Sequence, residues 1–430
     1  MADQSPPWRL NTLDSGVRIV TEAMPSVRSV SLGFWIGTGS RGESDADAGL
    51  SHLLEHLLFK GSSKYSSLEI DQLFDGMGAE LNAGTGKETT SVYARVIDDH
   101  LERAFDVMAD MVFRPALAEI DAERAVILEE IAMYEDDPQE KVFDVLGEAV
   151  FGEHPLGRAI IGRAPVIADS SPATIANFHA SRYTGPNVVI AAAGAVDHDT
   201  LAELAAAATE RAGQTAPPVP EPAPSPRPRD RLFERKETEQ FHVCIGGTAI
   251  SRHDDRRFAL RVLDTIFGGT SSSRLFQEVR ERHGLAYSVY SFTSAYQDAG
   301  QVGLYVGTRV DNIAEALRVI GAELARLRSE PVTAEELSRA KENLKGRVLL
   351  SLESTGARMN RLGSEVLASA PLLSVDDVVA RIESVDLADL QELADELWDP
   401  ERLSVAGIGP DEERFDEALA GVELASQAAG

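Results

Sequence analysis

The residues of this chain that are best suited to chemistry form a short run of histidine and glutamate inside an apolar stretch. The run reads His52-Leu53-Leu54-Glu55-His56, an H-x-x-E-H pattern. On a helix, His52 and His56 lie one turn apart on one face, with Glu55 beside them. Two imidazoles at this spacing suit a tetrahedral zinc ion, and an adjacent carboxylate suits a general base for water. The pattern therefore predicts a hydrolytic metal centre of the inverted-zincin type.

The helix that carries this run must be held in place by its other side. Leu50, Leu54, Leu57 and Leu58 fall opposite the histidines on a predicted helix over residues 47–59, so we expect them to pack in the core. Paired histidines on a helix can also be ordinary surface or core residues. The zinc interpretation therefore needs a third ligand elsewhere in the chain.

The segment 121–136 offers that third ligand on a second predicted helix, with Asp121 as its N-cap. Glu123 and Glu130 are two turns apart and share one face of this helix. The apolar members of that face are Val126, Ile127, Met133 and Tyr134. Carboxylates on an apolar face are costly unless they are paired or bind a cation. We predict Glu130 as the third ligand of a His₂Glu zinc site and Glu123 as the group that orients a ligand histidine.

Two alternatives to this ligand set remain open at the level of sequence. Glu129 is a rival ligand, although it lies about 100° around the helix from Glu130, on the side of Ala125 and Ala132. The acidic residues of this helix can also be incidental. A wider pattern along the chain bears on both alternatives.

Four segments in order resemble the pitrilysin/insulysin family of zinc metallopeptidases. They are HLLEHLLFKG (52–61), LNAGTGKETTSVYA (81–94), ERAVILEEI (123–131) and SSRLFQEVRERHGLAYSVYS (272–291). The resemblance extends from Leu10 to about Gly409 and is greatest to short bacterial members akin to the mitochondrial processing peptidase. It implies one zinc ion per chain, with the ligands His52, His56 and Glu130, the general base Glu55 and the ligand-orienting Glu123.

A predicted hairpin over residues 80–96 carries a candidate surface for substrate. Asn82 and Ala83 lie near the end of its first strand, where small residues allow another backbone to approach. An exposed edge strand can accept an extended peptide as a further strand. The resemblance implies that Asn82 and Ala83 form this substrate-binding edge, whereas the residues alone also fit an ordinary glycine-containing hairpin.

Arg280 and Tyr287 form a second candidate pair, seven residues apart, on either side of a predicted helix end at Gly284. By composition alone, this segment is the charged end of a helix. The resemblance implies that both residues contact the bound peptide and that Tyr287 donates a hydrogen bond to the developing oxyanion. The nearby run GGTSSS (268–273) lacks the G-K-[ST] sequence of a phosphate-binding loop.

A proline-rich segment divides the chain into two similar halves. Seven prolines lie between Pro217 and Pro228, which indicates an extended and semi-rigid spacer. We predict an N-terminal zinc-binding peptidase domain (1–212), a linker (213–231) and a C-terminal domain with the Arg–Tyr pair (232–430). The alternation of short strands with longer helices predicts an α+β fold, and the resemblance implies two homologous domains, each an antiparallel sheet backed by helices.

The two halves also contain similar segments, which indicates a diverged repeat. HLLEHLLFKG (52–61) aligns with LRVLDTIFGG (260–269), and VVIAAAGAVD (188–197) aligns with RLSVAGIGPD (402–411). This alignment places Leu260, Leu263 and Asp264 at the positions of the zinc-site residues. We therefore expect only the first half to hold this zinc ion.

The composition of the chain and its first residues indicate which classes of binding partner and which cellular compartment to expect. The chain has 41 basic and 70 acidic residues, a net charge of −29, which argues against nucleic acid or an anionic membrane as a partner. Its single cysteine, Cys244, excludes an intrachain disulfide and is predicted to be a buried strand residue. The first residues, MADQSPPWRL, lack a basic region followed by an apolar run, so we expect a cytoplasmic protein.

The resemblance predicts the activity and the assembly. The expected function is that of a zinc-dependent endopeptidase acting on peptides or unfolded segments. The resemblance implies that longer relatives carry the zinc residues and the Arg–Tyr pair on one chain of about twice this length. The presence of both sets in this shorter chain predicts a homodimer. Each of its two active sites would combine the zinc residues of one subunit with the Arg–Tyr pair of the other. The alternative is a non-catalytic or partner-dependent subunit, like those of processing peptidases, that binds peptides or acts as a scaffold; such relatives usually lack the metal residues.

Overall fold

The computed structural model describes residues 6–210, 212–225 and 227–421. The expectation about the N-terminus rests partly on residues 1–5, which lie outside the described part. Arg211 of the first predicted domain, Pro226 of the predicted linker and residues 422–430 of the last predicted domain also lie outside it.

The chain forms a six-stranded and a five-stranded sheet. The strands of the first sheet are β1 (Trp8–Thr12), β2 (Arg18–Ala23), β3 (Ser29–Ile36), β4 (Glu80–Thr85), β5 (Thr90–Ile97) and β6 (Val188–Gly194). Those of the second are β7 (Arg231–Arg235), β8 (Gln240–Ala249), β9 (Ala286–Ala295), β10 (Gly300–Arg309) and β11 (Ser404–Gly409). Each sheet has one parallel pair, β2 with β6 and β7 with β11, while the other pairs are antiparallel.

The strand orders confirm the predicted repeat. The first sheet has the order β1-β2-β6-β3-β5-β4 and the second the order β7-β11-β8-β10-β9. Without β1 the two orders are the same, because β7 to β11 take the places of β2, β3, β4, β5 and β6 in turn. The two-domain α+β fold is therefore confirmed, with the refinement that each sheet contains a parallel pair.

Helices connect and cover these strands. Those before β7 are α1 (Leu50–Leu58), α2 (Ser67–Met77), α3 (Leu101–Phe113), α4 (Ile120–Asp136), α5 (Pro138–Phe151), α6 (Ala164–Asp169), α7 (Pro172–Arg182) and α8 (His198–Thr209). Those after β7 are α9 (Arg257–Phe267), α10 (Ile313–Ser329), α11 (Ala334–Ser351), α12 (Thr355–Leu367), α13 (Val375–Ser384), α14 (Leu387–Leu397) and α15 (Glu412–Ala420). Residues Phe276–Arg282 form a π-helical segment. Within the described residues, no helix is both long and apolar enough to cross a membrane.

The chain folds into two compact units that do not follow the chain linearly. One contains residues up to Ile131, Ala159–Glu221 and Leu349–Val375, and the other contains Ala132–Arg158, Pro222–Val348 and the residues from Asp376. In the first unit α12 packs against β2, β3 and β6, and in the second unit α5 packs against β7, β8 and β11. Each sheet is therefore covered on one face by a helix from the opposite half of the chain. The domain division at residues 212 and 232 stays a prediction.

Buried side chains explain how these helices dock. In the first unit, Glu22 on β2 is 1% exposed and forms ion pairs with Arg358 and Arg361 of α12. Met359 and Leu362 of the same helix are buried against this face of the sheet. In the second unit, Cys244 lies fully buried in β8, and burial raises the pKa of its thiol. This cysteine is the structural strand residue that the sequence predicts.

Candidate active site

Helix α1 presents the H-x-x-E-H run and is fixed at its N-terminus by an acidic side chain. The buried carboxylate of Glu43 accepts hydrogen bonds from the backbone N–H groups of Gly49 (2.8 Å) and Ser51 (2.7 Å). This is the stabilising position for a negative charge, at the positive end of the helix dipole. Gly49 has φ +103°, a left-handed conformation that favours glycine. The loop before α1 therefore sets the direction in which the helix begins.

The apolar side of α1 anchors it as the sequence predicts. The buried residues of this side are Leu50, Leu53, Leu54, Leu57 and Leu58. The polar residues are only partly covered, with the His52 and His56 side chains 13% and 23% exposed. Their rings lie edge to face, 4.8 Å apart between centroids. The helix thus holds two imidazoles side by side at an accessible surface.

The carboxylate of Glu130 on α4 completes a group of three donor atoms. Its Oε2 lies 3.7 Å from Nε2 of His52 and 3.6 Å from Nε2 of His56. Bonds of about 2.0–2.2 Å to a tetrahedral zinc ion place two ligand atoms about 3.3–3.5 Å apart. The donor atoms of all three residues lie within 4.8 Å of one another. The His₂Glu set therefore fits zinc in donor chemistry and approximately in spacing.

Glu123 and Lys60 stand behind His56. Nδ1 of His56 donates to Oε2 of Glu123 at 3.2 Å, which leaves Nε2 of the ring free to bind a metal. The other oxygen of Glu123, Oε1, lies 2.8 Å from Nζ of Lys60. The hydrogen bond to Glu123 raises the pKa of Lys60, so this side chain stays charged. Glu123 is thereby held between an imidazole and an ammonium group.

His52 has a different environment. Its Nδ1 is buried and has no hydrogen-bond partner within residues 6–210, 212–225 and 227–421. Burial lowers the pKa of the ring, although the charges of Glu130 and Glu55 oppose this effect. A neutral imidazole is the form that binds metal.

Helix α4 differs from its prediction in two respects. It begins at Ile120, so Asp121 lies in its first turn rather than at the N-cap. The predicted apolar face is also wrong in part, because Val126 and Met133 are 50% and 67% exposed, and the buried residues of α4 are Glu123 and Ile127. The helix is held instead at its first turns, where Arg124 donates to the backbone carbonyls of Ile167 (2.9 Å) and Ser170 (2.7 Å). The rival ligand Glu129 is exposed and does not join the donor group.

Glu55 lies beside the donor atoms and is linked to strand β4. The hydroxyl of Thr85, the last residue of β4, donates to Oε2 of Glu55 at 2.5 Å. The buried Tyr183 is also near: burial and then the charge of Glu55 raise the pKa of its phenol. The carboxylate therefore has one oxygen held by a hydroxyl group.

Strand β4 lies at the edge of the first sheet, paired on one side with β5. The N–H of Gly86 donates to the carbonyl of Thr89 at 2.7 Å, just beyond the last pair of this ladder, Thr85 with Thr90. Antiparallel pairs alternate between hydrogen-bonded and non-hydrogen-bonded, so the backbone groups of Ala83 and Thr85 point away from β5. The N–H of Ala83 is in fact covered by the side chain of Asn82, whose Oδ1 accepts at 2.8 Å. The edge thus has outward-facing backbone groups next to Glu55.

The second unit brings Arg280 and Tyr287 together. Nη1 of Arg280 donates to the backbone carbonyl of Tyr287 at 3.0 Å. Its guanidinium lies over the rings of Tyr287 (4.4 Å) and Phe276 (4.7 Å). Gly284 has φ +62° just after the π-helical segment, as a C′ glycine would. Tyr287 is the second residue of β9 and is 78% exposed, so its side chain is available to a ligand.

Sequence reasoning missed three residues of the first unit that support the site. Glu43 holds the N-terminus of α1, Lys60 pairs with Glu123, and Thr85 donates to Glu55. Lys60 and Thr85 lie inside the segments HLLEHLLFKG and LNAGTGKETTSVYA, so they were visible as members of these segments. Lys60 is 63 residues from its partner Glu123, and Thr85 is 30 residues from its partner Glu55. Local periodicity in the sequence cannot reveal contacts over such distances. Only the fold brings them together.

The chain is similar to known proteins over most of its length. The family profile described as "Insulinase (Peptidase family M16)" matches residues 18–164, and that described as "Peptidase M16 inactive domain" matches residues 170–344. The chain is 43% identical over 412 residues to an uncharacterised zinc protease of Streptomyces coelicolor, covering 94% of this chain and 89% of that protein. It is 39% identical over 404 residues to an uncharacterised zinc protease of Bacillus subtilis, covering 93% and 97%.

Two solved structures share the fold. A protease from Helicobacter pylori superposes with a TM-score of 0.90 at 22% identity, covering 94% of this chain and 100% of that one. A "peptidase M16 inactive domain" from Pseudomonas fluorescens superposes with a TM-score of 0.88 at 22% identity, covering 94% and 98%. The similarity to both structures extends over nearly the whole chain.

Proposed function

Because the chain belongs to peptidase family M16, the insulinase family, we propose that it is a zinc-dependent endopeptidase that cleaves peptides or unfolded segments. The observation that carries the proposal is the convergence of His52, His56 and Glu130 around one point, with Glu55 beside them. Three ligands and an adjacent carboxylate that is not itself a ligand distinguish a catalytic zinc site from a closed structural one.

The proposed roles follow from the donor set. Zinc held by His52, His56 and Glu130 would polarise the scissile carbonyl and make a water molecule more acidic. Glu55 takes a proton from the attacking water and passes it to the leaving amine. Glu123 keeps the Nδ1 proton of His56 in place and so fixes the orientation of that ring. Each of these tasks falls to a residue of the first unit.

We propose that the substrate binds as an additional strand on β4. The outward backbone groups of Ala83 and Thr85 supply hydrogen-bonding partners for an extended peptide. The side chain of Asn82, which now accepts from the Ala83 N–H, would move to a substrate amide. Such main-chain recognition requires an unfolded segment, which agrees with the proposed substrate class.

The decisive test compares the wild-type protein with Glu55→Gln on a library of internally quenched peptides. We expect turnover to fall about 10²- to 10⁴-fold, because a general base contributes this much. Zinc content should not change, since Glu55 is not a ligand in this proposal. The matched control is Glu129→Gln, the same change at an exposed residue of α4, which should cleave like the wild type. Substantial turnover by Glu55→Gln would contradict the assignment.

We propose a cytoplasmic homodimer in which Arg280 and Tyr287 of the partner subunit act on the bound peptide. The support is the exposure of the Tyr287 ring and the ordered stack around Arg280. Mixing Glu55→Gln subunits with Tyr287→Phe subunits tests this idea. If the sites are shared, each mixed dimer has one intact site and activity returns. If both groups act within one chain, each site keeps one defect and no activity returns.

A peptide-binding or scaffold subunit remains the second candidate. The observation that favours it is the match of residues 170–344 to a domain described as inactive. In the second half, Leu260 and Leu263 are buried in α9 at positions that align with His52 and Glu55. Zinc binding without cleavage of any peptide in the library would select this candidate.

A further inference from the structure

We infer that Thr85 is a positioning residue that couples peptide binding on β4 to the orientation of Glu55. The inference rests on the proposed function and adds a residue to its machinery. The inference is based on one hydrogen bond, which the hydroxyl of Thr85 donates to Oε2 of Glu55 at 2.5 Å. The backbone of the same residue faces the open edge of the sheet.

The Glu55 side chain could take several orientations on α1. A glutamate side chain on a helix has several rotatable bonds, and its carboxylate can turn toward solvent or toward a neighbouring cation. In α1 its position is partly covered, so it is neither packed tightly nor fully free. A hydroxyl donor bound to Oε2 removes most of this freedom. It also leaves Oε1 with unused lone pairs, which a base needs in order to accept a proton from water.

The hydroxyl group that donates to Glu55 belongs to the edge strand β4. Within β4, Leu81, Ala83 and Thr85 share the more buried face, which rests on the core and contacts α1. Because side chains alternate along a strand, the direction of the Thr85 hydroxyl is set by the pleat of β4. A peptide that adds to β4 hydrogen-bonds to the outward backbone groups of Ala83 and Thr85 and stiffens this strand end. The strand end already holds Glu55 in the free protein, and bound substrate then keeps the base more firmly in this orientation.

Valine and serine each preserve a different part of the Thr85 side chain. Valine matches threonine closely in size and β-branching but lacks the hydroxyl, so Thr85→Val removes the donor while preserving the strand. Serine keeps the hydroxyl and loses only a methyl group. The comparison of these two variants separates the hydrogen bond from packing.

The experiment measures kcat, KM and zinc affinity for wild type, Thr85→Val and Thr85→Ser. We expect Thr85→Val to lower kcat about 10- to 100-fold, the usual effect of losing an outer partner of a catalytic group. Thr85→Ser should restore most of the rate, and zinc affinity should stay unchanged in both variants. An unchanged kcat in Thr85→Val, or an equal loss in Thr85→Ser, would overturn the inference.

A second measurement separates this inference from the proposed function. High-resolution crystal structures of the zinc-loaded wild type and Thr85→Val would show the Glu55 side chain directly. We expect the Glu55 side chain to have one conformation in the wild type, hydrogen-bonded to Thr85, and several conformations in the variant. If the wild type cleaves nothing but shows this difference, the peptidase proposal fails while the positioning role stands. If Glu55 has the same single conformation in both proteins, the positioning role fails whatever the activity.

Discussion

Removing the carboxylate of Glu123 should weaken zinc binding by a predictable amount. In the structure this carboxylate accepts the Nδ1 hydrogen of His56 at 3.2 Å and is 5% exposed as a residue. A hydrogen bond to a charged group contributes about 1.5–3 kcal/mol. The distance is longer than the usual 2.7–2.9 Å of a charge-assisted bond, so the lower part of that range applies. About 1.5–2 kcal/mol corresponds to a roughly 10- to 30-fold weaker affinity.

The assay is competition for zinc with a chromogenic chelator of known affinity, performed on Glu123→Ala. Glu129→Gln serves as the control, because it removes one negative charge from an exposed position of the same helix. Lys60→Met tests the next contact along the chain of interactions, the 2.8 Å ion pair between Lys60 and Glu123. We expect it to weaken binding less than Glu123→Ala does, because the carboxylate itself remains in place.

The double variant Lys60→Met/Glu123→Ala decides whether Lys60 acts through Glu123. If it does, the double variant binds zinc as tightly as Glu123→Ala alone, since the effects of coupled residues do not add. Unchanged zinc affinity in Glu123→Ala would refute the reasoning. It would mean that packing alone orients His56, without help from its Nδ1 partner.

Three further predictions concern other contacts. Glu22→Ala should lower the stability of the first unit by about 3 kcal/mol, because it leaves Arg358 and Arg361 without their buried partner; an unchanged midpoint of urea unfolding would contradict this. Ala83→Pro should raise KM with little loss of stability, because the ladder with β5 does not use that N–H; an unchanged KM would remove Ala83 from the binding edge. Burial by itself would raise the pKa of Glu336, but hydrogen bonds from Arg274 and Thr333 outweigh this effect and lower the pKa from 4.5 to about 2. The stability that these contacts supply is therefore present above pH 4.5 and lost as pH falls toward 2. Arg274→Met should destabilise the protein by about 1–2 kcal/mol at pH 7, since Thr333 still holds the carboxylate, and by less near pH 2; an equal loss at both pH values would exclude linkage.

The sequence predicts some parts of this protein much better than others, for physical reasons. Helix α1 follows from local periodicity, because Leu50, Leu54, Leu57 and Leu58 repeat at helical spacing and are all buried. The exposed face of α4 does not follow from periodicity, because Val126 and Met133 are apolar and yet are largely exposed to solvent. Periodicity reports which residues share a face but not what covers that face. The crossing of α5 and α12 to the opposite sheets is also absent from the sequence pattern, since it depends on docking contacts such as Glu22 with Arg358.

The repeat allows the inference about Thr85 to be weighed against a purely structural role for the same bond. In the second unit, α9 and β9 take the places of α1 and β4, and Ser291 of β9 donates to Oδ1 of Asp264 at 2.6 Å. A hydroxyl on the edge strand thus holds a carboxylate on the helix in both units, although Asp264 aligns with His56 and not with Glu55. Burial raises the pKa of Asp264, which has aliphatic neighbours in place of metal ligands. If the bond only ties helix to strand, Thr85→Val and Ser291→Ala should both lower the thermal midpoint and neither should lower kcat. If Thr85 positions the base, only its loss lowers kcat, and Ser291→Ala shows what the loss of a similar hydroxyl–carboxylate bond costs at a place without metal ligands.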